Sequence, residues 1–267
     1  MNDTQAQKYL LYAENLAHQA AEIMKQYYRS DYKKELKSDK SLVTVADLEI
    51  NKMVIKKIKY DFPEHGVLGE EEAWQADRKN LWVCDPIDST ASFIVHMPTF
   101  TFALAYVVNG VPLVAVAYNP MTDEMYSAVK NEGAKLNGVA IHVSARDWGY
   151  ELRLLRKASP LQLNVLDKDE VATKLDSQGI SLVANHGAVW SGALIAGGSA
   201  DGYIYEGSSS HDVAAIKLIV EEAGGKVTDI DGGEQLYDRS INGAVVSNGI
   251  IHEKLIEQVK KYANPRN

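Results

Sequence analysis

Trp82-Val83-Cys84-Asp85-Pro86-Ile87-Asp88-Ser89-Thr90 is the stretch on which the reading of this chain turns. It opens with apolar residues, as a buried strand would, and then delivers two carboxylates three residues apart with a proline between them. Proline fixes φ and lacks an N–H, so the strand is not expected to continue simply past Asp85. Asp85 at the strand end and Asp88 one turn later can then converge on one point. Two carboxylates held that close repel each other unless a proton or a cation lies between them. Magnesium takes oxygen ligands and keeps several waters, so a few carboxylates suffice to hold it. The small residues Ser89, Thr90, Ala91 and Ser92 that follow leave backbone N–H groups open to an anion. Taken alone, the stretch is either a strand-end site for a divalent metal and a phosphate or a strand closing in an ordinary Asp-Pro turn.

Residues 8 to 28 carry apolar groups at steps of three and four, among them Leu10, Ala13, Leu16, Ala17, Ala20 and Met24, which predicts an amphipathic helix. Residues 29 to 40 are charged and aperiodic, a loop that is a linker or a lid beside the site. A second helix is expected over 46 to 60, with Leu48, Val54, Ile55 and Ile58 on its apolar side, stopped by Phe62-Pro63. Val67-Leu68-Gly69 reads as a strand running into Glu70-Glu71-Glu72. Residues 100 to 118 form two apolar runs broken by Asn109-Gly110, a strong hairpin signal, and a meander continues to Gly138. This half is two helices on a mostly antiparallel sheet. Beyond Trp148-Gly149 strands and helices alternate: strands near 152, 180, 202, 227 and 244, and helices over 168 to 177, 189 to 197, 213 to 223 and 251 to 262. Asp212 is expected to cap the helix that Gly224-Gly225 closes.

The chain has 267 residues, 46% of them hydrophobic, enough for a large core or for two subdomains sharing an interface. Its formal net charge is −8, with 36 acidic against 28 basic residues, which argues against nucleic acid as a partner because phosphate backbones need clustered Lys and Arg. The single cysteine, Cys84, precludes an intrachain disulfide and sits among strand residues as a structural thiol. No apolar run approaches the ~20 residues that span a bilayer, and residues 1 to 7 lack the apolar core of a signal peptide. A cytoplasmic protein with no membrane partner is expected.

Four stretches, in order, resemble the signatures of the inositol monophosphatase family. Trp82 to Thr90 resembles W-x-x-D-P-I-D-G-T, and Leu42-Val43-Thr44-Val45-Ala46-Asp47 resembles L-V-T-x-x-D. Gly69-Glu70-Glu71 resembles G-E-E, and Asp212-Val213-Ala214-Ala215 with Glu222-Ala223-Gly224-Gly225 resembles W-D-x-A-A with E-A-G-G. The match covers roughly residues 8 to 260. The resemblance implies an α/β (α+β) fold, a layered αβαβα sandwich of the sugar-phosphatase type. Residues 1–148 would form an α+β subdomain carrying most of the metal ligands, and 149–267 an α/β subdomain that completes the site. It implies one metal on Glu70, Asp85 and the carbonyl of Ile87, a second on Asp85, Asp88 and Asp212, and a third on Glu70 and water, so two or three Mg2+ per site. Thr90, hydrogen-bonded to Asp47, and Glu70 would orient a metal-activated attacking water. Asp88, Ser89, Thr90, Glu206 and Asp212 would contact the substrate. The implied reaction is hydrolysis of a small phosphorylated metabolite, inositol 1-phosphate foremost, by a lithium-sensitive homodimer.

Without the resemblance, Asp212 is a helix cap and Asp47 is equally a helix-start residue. The sequence also departs from the family pattern. Position 89 is Ser where the family has Gly, which narrows the pocket or demands an unusual backbone angle. Position 211 is His where Trp is usual, a wall or cap residue or a metal ligand. The glutamate that contacts a substrate hydroxyl in the inositol enzymes corresponds to Glu206, or, counted back from Asp212 without a gap, to Tyr205. Residues 92 to 100 also resemble the histidinol phosphatases, and fructose 1,6-bisphosphate and nucleotide 3′-phosphates are substrates of other members. A regulatory binding protein on a decayed phosphatase scaffold is the competing class, and the full set of carboxylates stands against it. Ser210-His211-Asp212 is no catalytic triad, because adjacent residues cannot make that geometry. Gly224-Gly225-Lys226 lacks the earlier glycine and the following hydroxyl of a phosphate loop.

Overall fold

The computed structural model describes residues 3–30, 34–36, 42–157, 166, 169–185 and 187–262, so much of the charged segment 29 to 40 lies outside the described residues. Helix α1 (Asp3–Tyr27) buries Leu10, Ala13, Leu16, Ala17, Ala20 and Met24, the periodic face the sequence predicts. Strands β1 (Lys34–Leu36) and β2 (Leu42–Thr44) pair antiparallel, and α2 (Val45–Asp61) follows directly. Helix α2 buries Ile50, Val54 and Ile58, spaced by four. Leu48, expected on that face, is 37% exposed. Two residues before Ile50 at ~100° per residue is the opposite side of a helix, so the i, i+4, i+8 row overrides the composition of the run.

The first sheet has eight strands, ordered β10-β9-β8-β7-β6-β5-β3-β4. They are β3 (Gly66–Gly69), β4 (Ala73–Trp74), β5 (Asn80–Asp88), β6 (Thr101–Val108), β7 (Val111–Asn119), β8 (Glu124–Val129), β9 (Ala134–Leu136) and β10 (Val139–Ala140). All pairs are antiparallel except β3 with β5. Asn109-Gly110 turns β6 into β7 with both residues at positive φ, 49° and 81°, as a two-residue hairpin requires.

Side chains alternate across the pleat. Trp82, Cys84, Phe102, Leu104, Tyr106, Val114 and Val116 pack with α1 and α2. Leu81, Val83, Ala103, Ala105, Ala115 and Ala117 face the other way, onto α5 (Ala188–Ala196) and α6 (Ala214–Glu222). On the far side of those helices lies the second sheet, ordered β12-β11-β13-β15-β14. Its strands are β11 (Arg153–Lys157), β12 (Ser181–Asn185), β13 (Gly202–Tyr205), β14 (Lys226–Thr228) and β15 (Ala244–Ser247). Its inner face gives Tyr203, Tyr205, Ala244 and Val246 to the same core. Its outer face, with Leu154, Ile204 and Val245, is covered by α4 (Asp169–Ser177) and α7 (His252–Tyr262) through Val171, Leu175, Leu255 and Ile256. The layers are helix, sheet, helix, sheet, helix, as expected. Between β5 and β6 a short helix, α3 (Thr90–Ile94), completes the list.

Two local expectations change. Strand β5 does not stop at Asp85 but runs through Pro86 to Asp88, with a register shift between Asp85 and Asp88 against β6. A bulge is where a sheet tolerates a proline, since the ladder there is already broken. Asp212 does not cap α6: it ends a 3-10 turn, Ser210–Asp212, and Val213 is the helix N-cap. Its side chain is thereby released for other work.

The middle helices touch closely. A Cβ on Gly192 of α5 would lie 2.6 Å from Ile216 Cβ on α6. Alanine favours a helix over glycine by ~1 kcal/mol, whereas overpacking costs ~1–3 kcal/mol. We expect the collision to win, so that Gly192→Ala lowers the midpoint of thermal unfolding; a raised midpoint would show that the layers have slack.

Candidate active site

Strand β5 carries the centre of the site. The bulge at Pro86 turns both Asp85 and Asp88 the same way, and the 3-10 turn after β13 brings up Asp212 from the second sheet. One ligand atom from each of Asp85, Asp88 and Asp212 lies within 4.8 Å of the others, the group among the described residues suited to a metal ion. Asp85 is 1% exposed and its Oδ1 is buried with no hydrogen-bond partner. A buried carboxylate oxygen without a donor is what a cation ligand requires, and an ordinary turn does not. Three oxygen donors of this hardness suit magnesium better than a soft metal, so the residues present fit the ion.

Glu70 arrives from the neighbouring strand. Because β3 runs parallel to β5 with Gly69 opposite Cys84, the Glu70 N–H donates to the Cys84 carbonyl at 3.1 Å, and Glu70 follows its strand beside Asp85. Asn51 pins that turn: its Nδ2 donates to the Glu72 carbonyl at 2.9 Å and its Oδ1 accepts from the Glu71 N–H at 3.3 Å. Glu70 stands outside the three converging aspartates, close enough for its charge to act on Asp85.

Asp47 belongs to a third element, the first turn of α2, and both of its readings hold. Its Oδ2 accepts from the Thr44 N–H at 2.8 Å and from Thr44 Oγ1 at 2.5 Å, which fixes the helix start. Its Oδ1 accepts from Thr90 Oγ1 at 3.2 Å, the hydrogen bond the resemblance implies. Thr90 Oγ1 also lies 3.3 Å from the carbonyl of Ile87, so one hydroxyl proton serves two acceptors on either side of the site.

Asp88 has partners that the sequence did not disclose. Its Oδ1 accepts from the Ala188 N–H at 3.0 Å and its Oδ2 from the Trp190 N–H at 3.1 Å, both at the start of α5. Thr101, opposite Asp88 on β6, donates to Oδ2 at 3.2 Å. Gly187 makes this approach possible, because a Cβ there would sit 2.2 Å from Asp88 Oδ2. Residues a hundred positions apart meet here, and no local signal marks Ala188 or Trp190 as partners.

Burial dominates the electrostatics. It pushes the Asp47 carboxyl up to about 7 against the opposing hydrogen bonds from Thr44, with the charges of Glu70 and Glu71 adding to the rise. It pushes Asp88 up to about 7, helped by Asp212 and opposed by the N–H groups of Trp190 and Ala188 and by Thr101. Asp85 lies well above the usual carboxylate range, from burial first and then from Glu70, Asp88, Asp212 and Asp47.

The remaining candidates divide. Ser89 takes a left-handed backbone, φ 68° and ψ 57°, at the start of α3, so the serine adopts the angle that suits the family's glycine. Its Oγ donates to Ser92 Oγ at 2.8 Å. His211 Nε2 stands 3.9 Å from Asp212 Oδ2, beside the cluster rather than in it. Glu206 is exposed on the loop after β13. Tyr205 is buried, and its hydroxyl donates to Asp212 Oδ2.

This sandwich brings the buried Asp85 and Asp88 of the first sheet to a half-buried Asp212 on the turn after β13, and the homologues make its class a phosphoric monoester hydrolase. The Inositol monophosphatase family model matches residues 5–264, and the chain belongs to that family. It is 32% identical over 262 residues to inositol monophosphatase 1 of Rattus norvegicus, covering 93% of each chain. It is 31% identical over 218 residues to the Nus factor SuhB of Pasteurella multocida, covering 77% of this chain and 78% of that one. Among solved structures the IMPase of Thermotoga maritima superposes with a TM-score of 0.85 at 27% identity, covering 96% of this chain and 98% of that one. Among the described residues no helix is long and apolar enough to cross a membrane.

The raised carboxyls fix the sign of a pH effect. Asp47 and Asp88 move from 3.8 unfolded to about 7 folded, so between those values the folded state binds more protons. Stability must then fall as pH rises through that window. With EDTA present, the unfolding midpoint should drop between pH 5.5 and 8, by ~2–4 °C for each kcal/mol lost, and Mg2+ should restore it at pH 8. A midpoint that is flat or rises over this range in EDTA contradicts the electrostatic account.

Proposed function

We propose that the chain hydrolyses a small polyol or sugar phosphate monoester in a magnesium-dependent reaction, with inositol 1-phosphate the leading substrate. The observation that carries the reading is the convergence of Asp85, Asp88 and Asp212 around an Asp85 oxygen that has no hydrogen-bond donor. Two or three Mg2+ would be held by Glu70, Asp85, the Ile87 carbonyl, Asp88 and Asp212. When bound, magnesium supplies neutralisation of the charge that develops on the phosphoryl oxygens.

The protein's own groups supply orientation. Thr90 gives its proton to Asp47 Oδ1 or to the Ile87 carbonyl, which leaves its oxygen lone pairs to accept from the attacking water. Glu70 takes the water's other proton, so the nucleophilic lone pair faces phosphorus. Asp88 lies beside the leaving oxygen on the opposite side, Asp212 contacts the substrate with it, and the departing alkoxide takes its proton from a water there. Ser89 and Thr90 contact the phosphate, and Glu206 with Ser208 and Ser209 forms a polar rim that suits a hydroxylated leaving group. Residues 1–148 supply Glu70, Asp85 and Asp88, and 149–267 supply Asp212. One relative is named a Nus factor; the presence of every carboxylate here supports catalysis.

Asp85→Asn removes charge without volume, and we expect kcat to fall by about two orders of magnitude or more with the fold intact by circular dichroism. Near-normal turnover in that variant would remove Asp85 from the site. Thr90→Ala and Glu70→Gln should lower kcat far more than they raise KM, because they act on the transition state. A rise in KM alone would make them substrate-binding residues instead.

The substrate is settled by parallel assay of inositol 1-phosphate, histidinol phosphate, fructose 1,6-bisphosphate and adenosine 3′,5′-bisphosphate at saturating magnesium. We expect inositol 1-phosphate to lead in kcat/KM; a leading bisphosphate would mean that the rim after Tyr205 does not line the pocket. We also place the protein in the cytoplasm as a homodimer that does not bind nucleic acid, and expect LiCl at tens of millimolar, the range of weak cation sites, to inhibit. Sedimentation of a monomer, or activity indifferent to lithium, would remove those two assignments.

A further inference from the structure

We propose that Tyr205 is the positioning residue for Asp212, holding that carboxylate in place for the cation. The inference rests on the reading of Asp212 as a metal ligand and concerns how this chain delivers it. Asp212 is the ligand that must come from the second sheet, and it sits on a 3-10 turn with no capping role to fix its side chain. A carboxylate left to rotate there would have to be ordered each time an ion binds, at a cost in side-chain entropy.

Tyr205 removes that freedom. It ends β13, where its register opposite Ala244 of β15 fixes the backbone, and it is 5% exposed. Its ring packs in the core between the sheets. Its hydroxyl donates to Asp212 Oδ2 and in turn lies 3.4 Å from the Ser209 N–H. A phenol is a neutral donor, so it orients one carboxylate oxygen and leaves the charge to the cation.

A second observation points the same way. A Cβ at Gly207 would lie 2.2 Å from the Tyr205 hydroxyl oxygen, and the φ of Gly207 is outside the left-handed region. Glycine at 207 is therefore explained by room for the hydroxyl and not by backbone conformation. The pair Tyr205 and Gly207 forms one device: a buried phenol reaching the metal-binding carboxylate through a gap that only glycine leaves.

Tyr205→Phe deletes the hydroxyl alone. Calorimetric titration with Mg2+ should show binding weakened by ~10-fold or more, the scale for partners that orient metal ligands. The rise of the unfolding midpoint on adding Mg2+ should shrink accordingly, and kcat should recover as magnesium is raised. Wild-type Mg2+ affinity in the folded variant would overturn the inference, as would a midpoint lowered equally in EDTA and in Mg2+, which is what a purely structural role produces. If Tyr205→Phe does not fold, Gly207→Ala decides: by displacing the phenol it should weaken Mg2+ binding similarly, and unchanged affinity would overturn the assignment. A wild-type protein that binds no Mg2+ would instead defeat the proposed function itself, and this inference with it.

Discussion

Like charge crowded around two buried aspartates is the constraint around which this molecule is arranged. Asp85 and Asp88 are buried, Asp212 closes on them to within 4.8 Å, and Glu70 and Asp47 add their fields. Such a group destabilises a fold unless protons or a cation compensate it. The hydrophobic layers on both sides of the first sheet must supply the surplus stability that lets the cluster exist. The protein relieves part of the repulsion by donation, with the α5 N–H groups and Thr101 on Asp88 and Thr44 on Asp47. It leaves Asp85 Oδ1 with no donor. That selective neglect is what distinguishes a site built to receive a cation from an acidic patch.

A handful of structural devices bring these carboxylates together. The bulge at Pro86 bends β5 so that two aspartates three residues apart share a side. Parallel pairing of β3 with β5 carries Glu70 alongside. The capping hydrogen bonds of α2 lock Asp47, which then orients Thr90. A 3-10 turn swings Asp212 across from the second sheet under the hold of Tyr205. Precision comes from mounting the carboxylates on rigid elements, and the arrangement holds only while both sheets keep their places on α5 and α6.

The sequence made the layers legible because periodicity and turn chemistry are local. The α1 face, the Asn109-Gly110 hairpin and the alternation after residue 148 all follow from neighbours within a few positions. Glu70, Asp85, Asp88 and Asp212 were legible as candidates through the order of their motifs, and the Thr90 bond to Asp47 with them. What escaped was set by tertiary contact. Leu48 sits on the wrong side of α2 because the register of a helix face is fixed by what it packs against. Pro86 lies inside a strand because the bulge absorbs its missing donor. The α5 partners of Asp88 lie a hundred residues away, and Tyr205 reads as an ordinary strand aromatic until its hydroxyl is seen at Asp212.

The claim that the carboxylates converge in order to bind a cation is tested most directly by crystals soaked in Mn2+, which replaces magnesium among oxygen ligands and scatters anomalously. An anomalous peak is expected in contact with Asp85, Asp88 and Asp212, with density joining it to the Asp85 oxygen that otherwise has no partner. Anomalous density absent from that cluster at millimolar Mn2+, or found only on exposed acids, would contradict it.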